Sequence, residues 1–205
     1  KCINLKNVQL PYSLENIGNY AFSDCCSLEK IDIPSNVNVI GNYAFSHCSN
    51  LCEINLPDNL LEISNGVFWY CYNLKKINIP NNVTSIGNSA FDNCTKLASI
   101  IIPASIISIE DNAFYQCSRL YEIRNLSELL LNFNSYENGM IAYYAKKIIE
   151  KNGSIRYLND NQIEFIETNN QFRFMNEAGK YKLIAYFGDL ETVILPSEIN
   201  GKEYE

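Results

Sequence analysis

The chain has 205 residues, 47% hydrophobic and 19% charged, a balance that excludes wholesale disorder and allows one or two compact domains. A formal net charge of −7 and an isoelectric point near 4.8 exclude the clustered basic face that nucleic acid or a polybasic membrane contact needs. No run approaches the roughly 18 apolar residues of a membrane span, so direct membrane insertion by this segment is not expected.

In chain order, Lys1-Cys2-Ile3-Asn4-Leu5 reads as the tail of a repeat already under way, not as a signal peptide. The sequence is therefore expected to be a piece of a longer protein. From there, five residue columns recur with a step of 23 residues. They are Pro11, Pro34, Pro57, Pro80 and Pro103; Phe22, Phe45, Phe68, Phe91 and Phe114; and Cys2, Cys25, Cys48, Cys71, Cys94 and Cys117. Ile17, Ile40, Ile63, Ile86 and Ile109 form the fourth, and Leu5, Leu28, Leu51, Leu74, Leu97 and Leu120 the fifth.

One unit shows the physics. In Leu28-Glu29-Lys30-Ile31-Asp32-Ile33-Pro34, Ile31 and Ile33 alternate as on a short strand and point inward with Leu28. Pro34 ends the strand because it has no amide hydrogen for the ladder. Asn36, Asn59 and Asn82 then occupy a turn, with Ser13 and Ser105 in the same slot. Gly18, Gly41 and Gly87 precede Asn19, Asn42 and Asn88, which are placed to cap one helical turn carrying Ala-Phe. No unit can bury its own apolar side, so the coils must stack, at about 4.8 Å per strand and roughly 25–30 Å in all. The expected fold class is an α+β solenoid: short parallel strands alternating with short helical turns over residues 1–124, about five and a half repeats.

These units resemble the BspA-like class of leucine-rich repeats, which read approximately L-x-x-I-x-I-P-x-x-V-x-x-I-G-x-x-A-F-x-x-C-x-x. The resemblance runs from Cys2 to about Ile123. It implies an extracellular or cell-surface protein of a bacterium or protozoan, of a kind linked to adhesion and virulence. The departures are small: Val67 replaces Ala, and Ser64 and Glu110 replace Gly.

The pattern fails after Ile123. Asn125 stands where an inward Ile belongs, and Leu126 where Pro belongs. Residues 125–188 are expected to form an insert, beginning with a helix over Glu137–Lys151 whose apolar stripe is Met140, Tyr143, Tyr144, Ala145 and Ile148. Gly153 is its expected stop. Strand-like runs follow at Ile163–Glu167, Gln171–Met175 and Tyr181–Phe187, with Asn169-Asn170 and Glu177-Ala178-Gly179 as turns. The strand unit returns at Leu190-Glu191-Thr192-Val193-Ile194-Leu195-Pro196, so residues 189–205 are expected to restart the array and continue it beyond Glu205.

Eight cysteines invite a disulfide reading, but six share one column. Stacked neighbours there hold their Cβ vectors parallel, which does not suit a disulfide and predicts a ladder of buried free thiols. Cys26 and Cys52 are off the column and are not expected to pair. A metal site is not expected either, since the chain has no C-x-x-C pair and only His47 as histidine. His47 beside Cys48 is not read as a nucleophile and base, because adjacent residues on a turn diverge and the equivalent slots hold Asp24, Tyr70, Asn93 and Gln116. No nucleotide-binding glycine motif occurs, so no cofactor and no enzymatic activity are expected.

Two surfaces are candidates for a partner. The strand face carries the outward columns Asn7, Lys30, Glu53, Lys76, Ser99, Glu122 and Gln9, Asp32, Asn55, Asn78, Ile101, Arg124. It is either a solvated sheet with internally satisfied charge or a binding face built on Lys30, Asp32, Glu53, Asn55, Lys76 and Asn78. The other candidate is Trp69, Tyr70 and Tyr72 with Tyr43 one coil away, expected to lie exposed on the helical edge as a contact site or to pack against a neighbouring loop. The sequence thus favours a non-catalytic module binding a host or microbial surface protein. A rigid spacer and a glycan-binding accessory module are the alternatives.

Overall fold

The computed structural model describes residues 2–158 and the strands at 164–168, 172–177 and 180–186. The chain divides into two compact units, Lys1–Ala145 and Lys146–Glu205.

The first unit is a β-solenoid. Its ten strands among the described residues are β1 Asn16–Ile17, β2 Lys30–Asp32, β3 Val39–Ile40, β4 Glu53–Asn55, β5 Glu62–Ile63, β6 Lys76–Ile77, β7 Ser85–Ile86, β8 Ser99–Ile102, β9 Ser108–Ile109 and β10 Glu122–Asn125. They form two parallel sides. On the first, β2, β4 and β6 pair in order and β8 pairs with β10, each register step joining residues one repeat apart, as Ile31 with Ile54 and Ile54 with Ile77. On the second, β1 pairs with β3, and β5, β7 and β9 pair in turn.

The core follows from the columns. In one coil Leu28, Ile31, Val37, Ile40, Ala44, Phe45 and Cys48 are all buried, and burial of each large aliphatic or aromatic side chain contributes about 1.5–3 kcal/mol. Phe22, Phe45, Phe68, Phe91 and Phe114 stack face to face, with successive centroids 5.0–5.9 Å apart. The cysteine column is a ladder of free thiols. Cys48, Cys71, Cys94 and Cys117 each donate from Sγ to the carbonyl of a phenylalanine one coil back, at 3.1–3.3 Å.

The segments expected to be short helical turns are not helical. Each is a chain of β-turns, in which Ala44 N–H donates to Gly41 O, Ser46 N–H to Tyr43 O and Cys48 N–H to Phe45 O. Intervening amides point to the next coil: Tyr43 to Asn65 O, Phe45 to Val67 O and His47 to Trp69 O. The arrangement repeats along the stack and gives the solenoid a third hydrogen-bonded side. It requires left-handed backbone at two slots per coil, Tyr20, Tyr43, Gly66, Ser89 and Asn112 in one and Asp24, His47, Tyr70, Asn93 and Gln116 in the other, with φ between 53° and 62°. An α-helix cannot accommodate such residues in series.

The asparagines expected to cap helices act between coils instead. Asn19, Asn42 and Asn65 each accept, through Oδ1, the amide of the asparagine one repeat later, at 2.8–3.1 Å. Gly41 and Gly87 leave room for this close approach in their coils: a Cβ on Gly41 would lie 2.4 Å from Asn19 Oδ1, and one on Gly87 2.4 Å from Asn65 Oδ1. Ser64, in the same slot, is buried and donates from its hydroxyl to Ile40 O.

The array stops where Asn125 replaces an inward aliphatic. Its side chain is buried and turns the chain, with Nδ2 donating to Leu129 O at 2.8 Å and Oδ1 accepting the Ser127 amide and hydroxyl at 3.2 and 2.7 Å. Leu126, unlike the prolines of that slot, has an amide, which donates to Ile102 O.

The expected helix over Glu137–Lys151 is also absent. Asn138–Met140 is a single 3-10 turn with φ of 47°, 62° and 63°, and β11 already begins at Lys147. The physical reason is the unfinished turn ladder: Gly139 O accepts the Phe114 amide at 2.8 Å, the place a further coil would take. Leu131, Met140, Ile141, Ala142 and Ala145 are buried in this closing segment.

The second unit is an antiparallel meander of β11 Lys147–Glu150, β12 Ile155–Leu158, β13 Glu164–Thr168, β14 Phe172–Glu177 and β15 Lys180–Tyr186. The last three lie within one or two residues of the expected runs. Arg156 is buried and pairs with Glu150 at 3.3 Å. The expected turns at Asn169-Asn170 and Ala178-Gly179, and the restart at Leu190–Pro196, lie outside the described residues. Among the described residues, no helix is long and apolar enough to cross a membrane.

Candidate protein-interaction surface

The strand-face candidates sit where the period-two pattern puts them. Lys30, Asp32, Glu53, Asn55, Lys76 and Asn78 are all exposed. Lys30 Nζ lies 3.4 Å from Glu53 Oε2 with both side chains more than half exposed, so the pair contributes only a few tenths of a kcal/mol. A shallow depression of about 550 Å³ runs along Lys30, Glu53, Asn55, Lys76 and Asn78. No aromatic ring lines it.

The aromatic candidates lie on the third, turn-built side, and here the structure gathers more than the sequence predicted. Tyr43, Trp69 and Tyr70 are half-buried and Tyr72 is 39% exposed. They are buried against one another, in a cluster that also takes in Tyr20 and His47. Tyr20 stacks on Tyr43 at 5.2 Å, and His47 stacks on Tyr70 at 4.9 Å. Trp69 meets Tyr43, His47 and Tyr70 nearly at right angles, at 5.9, 4.9 and 4.7 Å. Tyr72 closes the group edge-on to Tyr70 at 5.4 Å. Such edge-to-face contacts contribute about 0.5–1.5 kcal/mol each beyond area burial.

The repeat explains this placement. Trp69 occupies the slot of Ser23, Ser46 and Asp92, and Ser46 behind it is small and buried. Its indole therefore spans three coils, touching Tyr43 and His47 on one side and donating from Nε1 to Asp92 Oδ2 at 3.1 Å on the other. Gly66 makes room for Tyr43: a Cβ there would stand 2.1 Å from its ring, and φ is +57°. Asp92 also accepts from Asn93 Nδ2 at 2.8 Å, and burial holds its carboxyl above the ordinary range against both bonds.

Tyr20, His47 and Asp92 were not among the sequence candidates. His47 was read as solvated surface from its polar slot-mates, whereas it is an internal member of the cluster. Tyr20 could have been found, because it shares a column with Tyr43. His47 and Cys48 form no reactive pair. Cys48 points inward and donates to Phe22 O, and burial pushes its thiol up to about 12. Among the described residues, no group of three or more His, Cys, Asp or Glu could hold a metal ion.

A family model for the BspA type leucine rich repeat region matches residues 1–98 and 84–201, in six copies. Among solved structures, a T. pallidum leucine-rich repeat protein is 29% identical, with a TM-score of 0.58 over 70% of this chain and 67% of its own. A leucine rich cell surface protein from Faecalibacterium prausnitzii A2-165 is 34% identical, with a TM-score of 0.56 over 58% of this chain and 31% of that one. The pneumococcal vaccine antigen PcpA is 27% identical, with a TM-score of 0.54 over 61% of this chain and 32% of its own. This chain therefore matches about a third of the length of the last two proteins. No curated protein matches it significantly.

Proposed function

Because the chain belongs to the BspA-type leucine-rich repeat family, we propose that it is a non-catalytic protein-interaction module of a cell-surface protein, acting in adhesion or host contact. A cell-surface protein and a vaccine antigen stand among its structural relatives, which supports the location. The partner is read as a host or microbial surface protein. We assign its contact to the ring cluster around Trp69 in preference to the strand face. The observation that carries this is the cluster itself, six rings in mutual contact and only partly covered, in a chain of net charge −7. Tryptophan and tyrosine dominate the energetics of protein interfaces, and flat charged surfaces contribute less.

The test is binding to a panel of purified extracellular-matrix and host surface proteins, followed by two variants. Trp69→Ala with Tyr70→Ala should weaken the captured interaction by about 30-fold, the value of a single strong interface residue. Lys30→Glu with Lys76→Glu should change it by less than about threefold. The opposite ranking would move the site to the strand face. A neutral glycan bound in place of any protein would favour an accessory module, and no effect of either variant on any partner would leave a spacer.

A further inference from the structure

The charge layout of the solenoid adds a constraint on the partner. On the turn side, residues 19–26, 42–49, 65–72, 88–95 and 111–118 include no Lys or Arg, although the chain has 16. The same stretches hold Asp24, Asp92 and Asp111. Lys30, Lys76 and Arg124 all lie on the strand side instead. Lys96, just beyond the fourth stretch, is engaged with Asn73 Oδ1. A surface of aromatic rings and carboxylates attracts cations, because ring faces carry the negative end of the quadrupole and carboxylates add net charge. Asp92 sharpens this. Its two donors, Trp69 Nε1 and Asn93 Nδ2, are both neutral, so its half-buried charge touches the indole and lacks a compensating positive group.

We infer that the Trp69 cluster, with Asp92 at its edge, receives arginine or lysine side chains from a basic segment of the partner protein. The inference rests on the assignment of this cluster as the contact site. Each guanidinium would lie against the rings of Trp69 or Tyr70 while bonding to Asp92, which combines cation–π attraction with a charge-assisted hydrogen bond. The acidic chain as a whole then steers the basic segment in, and the rings decide where it stops.

Trp69 is the single tryptophan and reports directly on its own surroundings. A capped peptide of alternating arginine and glycine is titrated into the intact chain at physiological salt, with an alternating glutamate and glycine peptide and a neutral hexasaccharide as comparisons. The arginine peptide should change Trp69 fluorescence saturably, and the other two should not. Asp92→Asn keeps an oxygen to accept the indole hydrogen and should weaken the peptide about fivefold or more. Tyr70→Leu should weaken it to a similar degree. Glu62→Gln removes the same charge from an exposed position on the second side and should cost less than about twofold. Equal losses for Asp92→Asn and Glu62→Gln would show attraction to net charge alone and overturn the assignment. So would a Trp69 response to the hexasaccharide or the acidic peptide. If Trp69→Ala abolishes capture of a surface protein whose binding the arginine peptide does not compete, the basic partner is wrong and the contact site stands.

Discussion

Replacing Gly66 with alanine tests how the fold sets up the ring cluster. At that slot the neighbouring coils carry Tyr20, Tyr43, Ser89 and Asn112 at φ of 57°, 57°, 53° and 54°, so the backbone accepts a side chain in this conformation. The conformational cost at φ +57° is about 1–2 kcal/mol. The larger obstacle is the Tyr43 ring, which would lie 2.1 Å from the new Cβ and must leave. Leaving breaks its stack on Tyr20 and its edge contact with Trp69, at about 0.5–1.5 kcal/mol each. Gly66→Ala should therefore cost about 2–5 kcal/mol, with a shift in Trp69 emission at low denaturant. Tyr43→Ala alone should cost about 1–3 kcal/mol for the same two contacts. In the double variant those contacts are lost once, so its cost should fall short of the sum by about 1–3 kcal/mol. Urea unfolding followed by circular dichroism and by Trp69 fluorescence measures all three. Additivity to within about 0.5 kcal/mol would mean that Gly66 is not there for Tyr43.

Four further outcomes follow from the ladders. Phe68→Ala removes a fully buried ring between Phe45 and Phe91 and should cost about 3–5 kcal/mol, whereas Tyr121→Ala at a 51% exposed position should stay within about 0.5 kcal/mol, both read from denaturation midpoints. Asn42→Ala orphans the Asn65 amide and should cost about 1 kcal/mol, while Asn42→Asp keeps an acceptor oxygen there and should cost less. A thiol reagent at neutral pH should label Cys2, Cys26 and Cys52 quickly and leave Cys48, Cys71, Cys94 and Cys117 until the chain unfolds. Burial raises the Cys48 thiol from 9.0 to about 12, so the stability linked to it is complete below pH 9 and is lost as pH rises from there towards 12. Stability measured across that alkaline range should fall, and Cys48→Ala should flatten the decline.

The repeat was legible because hydrophobic columns need only one coordinate, the distance along the chain. Ile31, Leu28, Phe45 and Cys48 are buried because a 23-residue step places each on its equivalent, and no local propensity has to be right for that. The thiol ladder was legible for the same reason. Turn chemistry was not. Gly41-Asn42-Tyr43-Ala44-Phe45 offers a glycine, a capping residue and a short apolar pair, which fit a helix start as well as a run of β-turns. What decides between them is the destination of the amides of Tyr43, Phe45 and His47, and that is the coil one repeat later. The same limit produced the error over Glu137–Lys151. Its apolar spacing suits a helix, but the unfilled Phe114 amide recruits Gly139 O, and Asn138, Gly139 and Met140 all take left-handed backbone to deliver it.

The candidate site divides along the same line. Trp69, Tyr70 and Tyr72 were visible as large rings in slots that elsewhere hold Ser46, His47, Asp92, Ser49 and Thr95, a contrast that reading across columns exposes, and Tyr43 was visible as a ring one coil away. Their partners were less visible, because they depend on how far a side chain reaches along the stack. Trp69 reaches back past a buried Ser46 to Tyr43 and His47, and forward to Asp92. Slot-by-slot comparison treated His47 as solvated surface because its slot holds Asp24, Asn93 and Gln116 in other coils, and it did not single out Asp92. A large residue in a solenoid changes the meaning of the slots on either side of it. The unit of inference for binding is therefore a patch of three coils, and within this patch His47, read from its slot as solvated, and Asp92, not singled out, supply the ring and the carboxylate beside the one tryptophan.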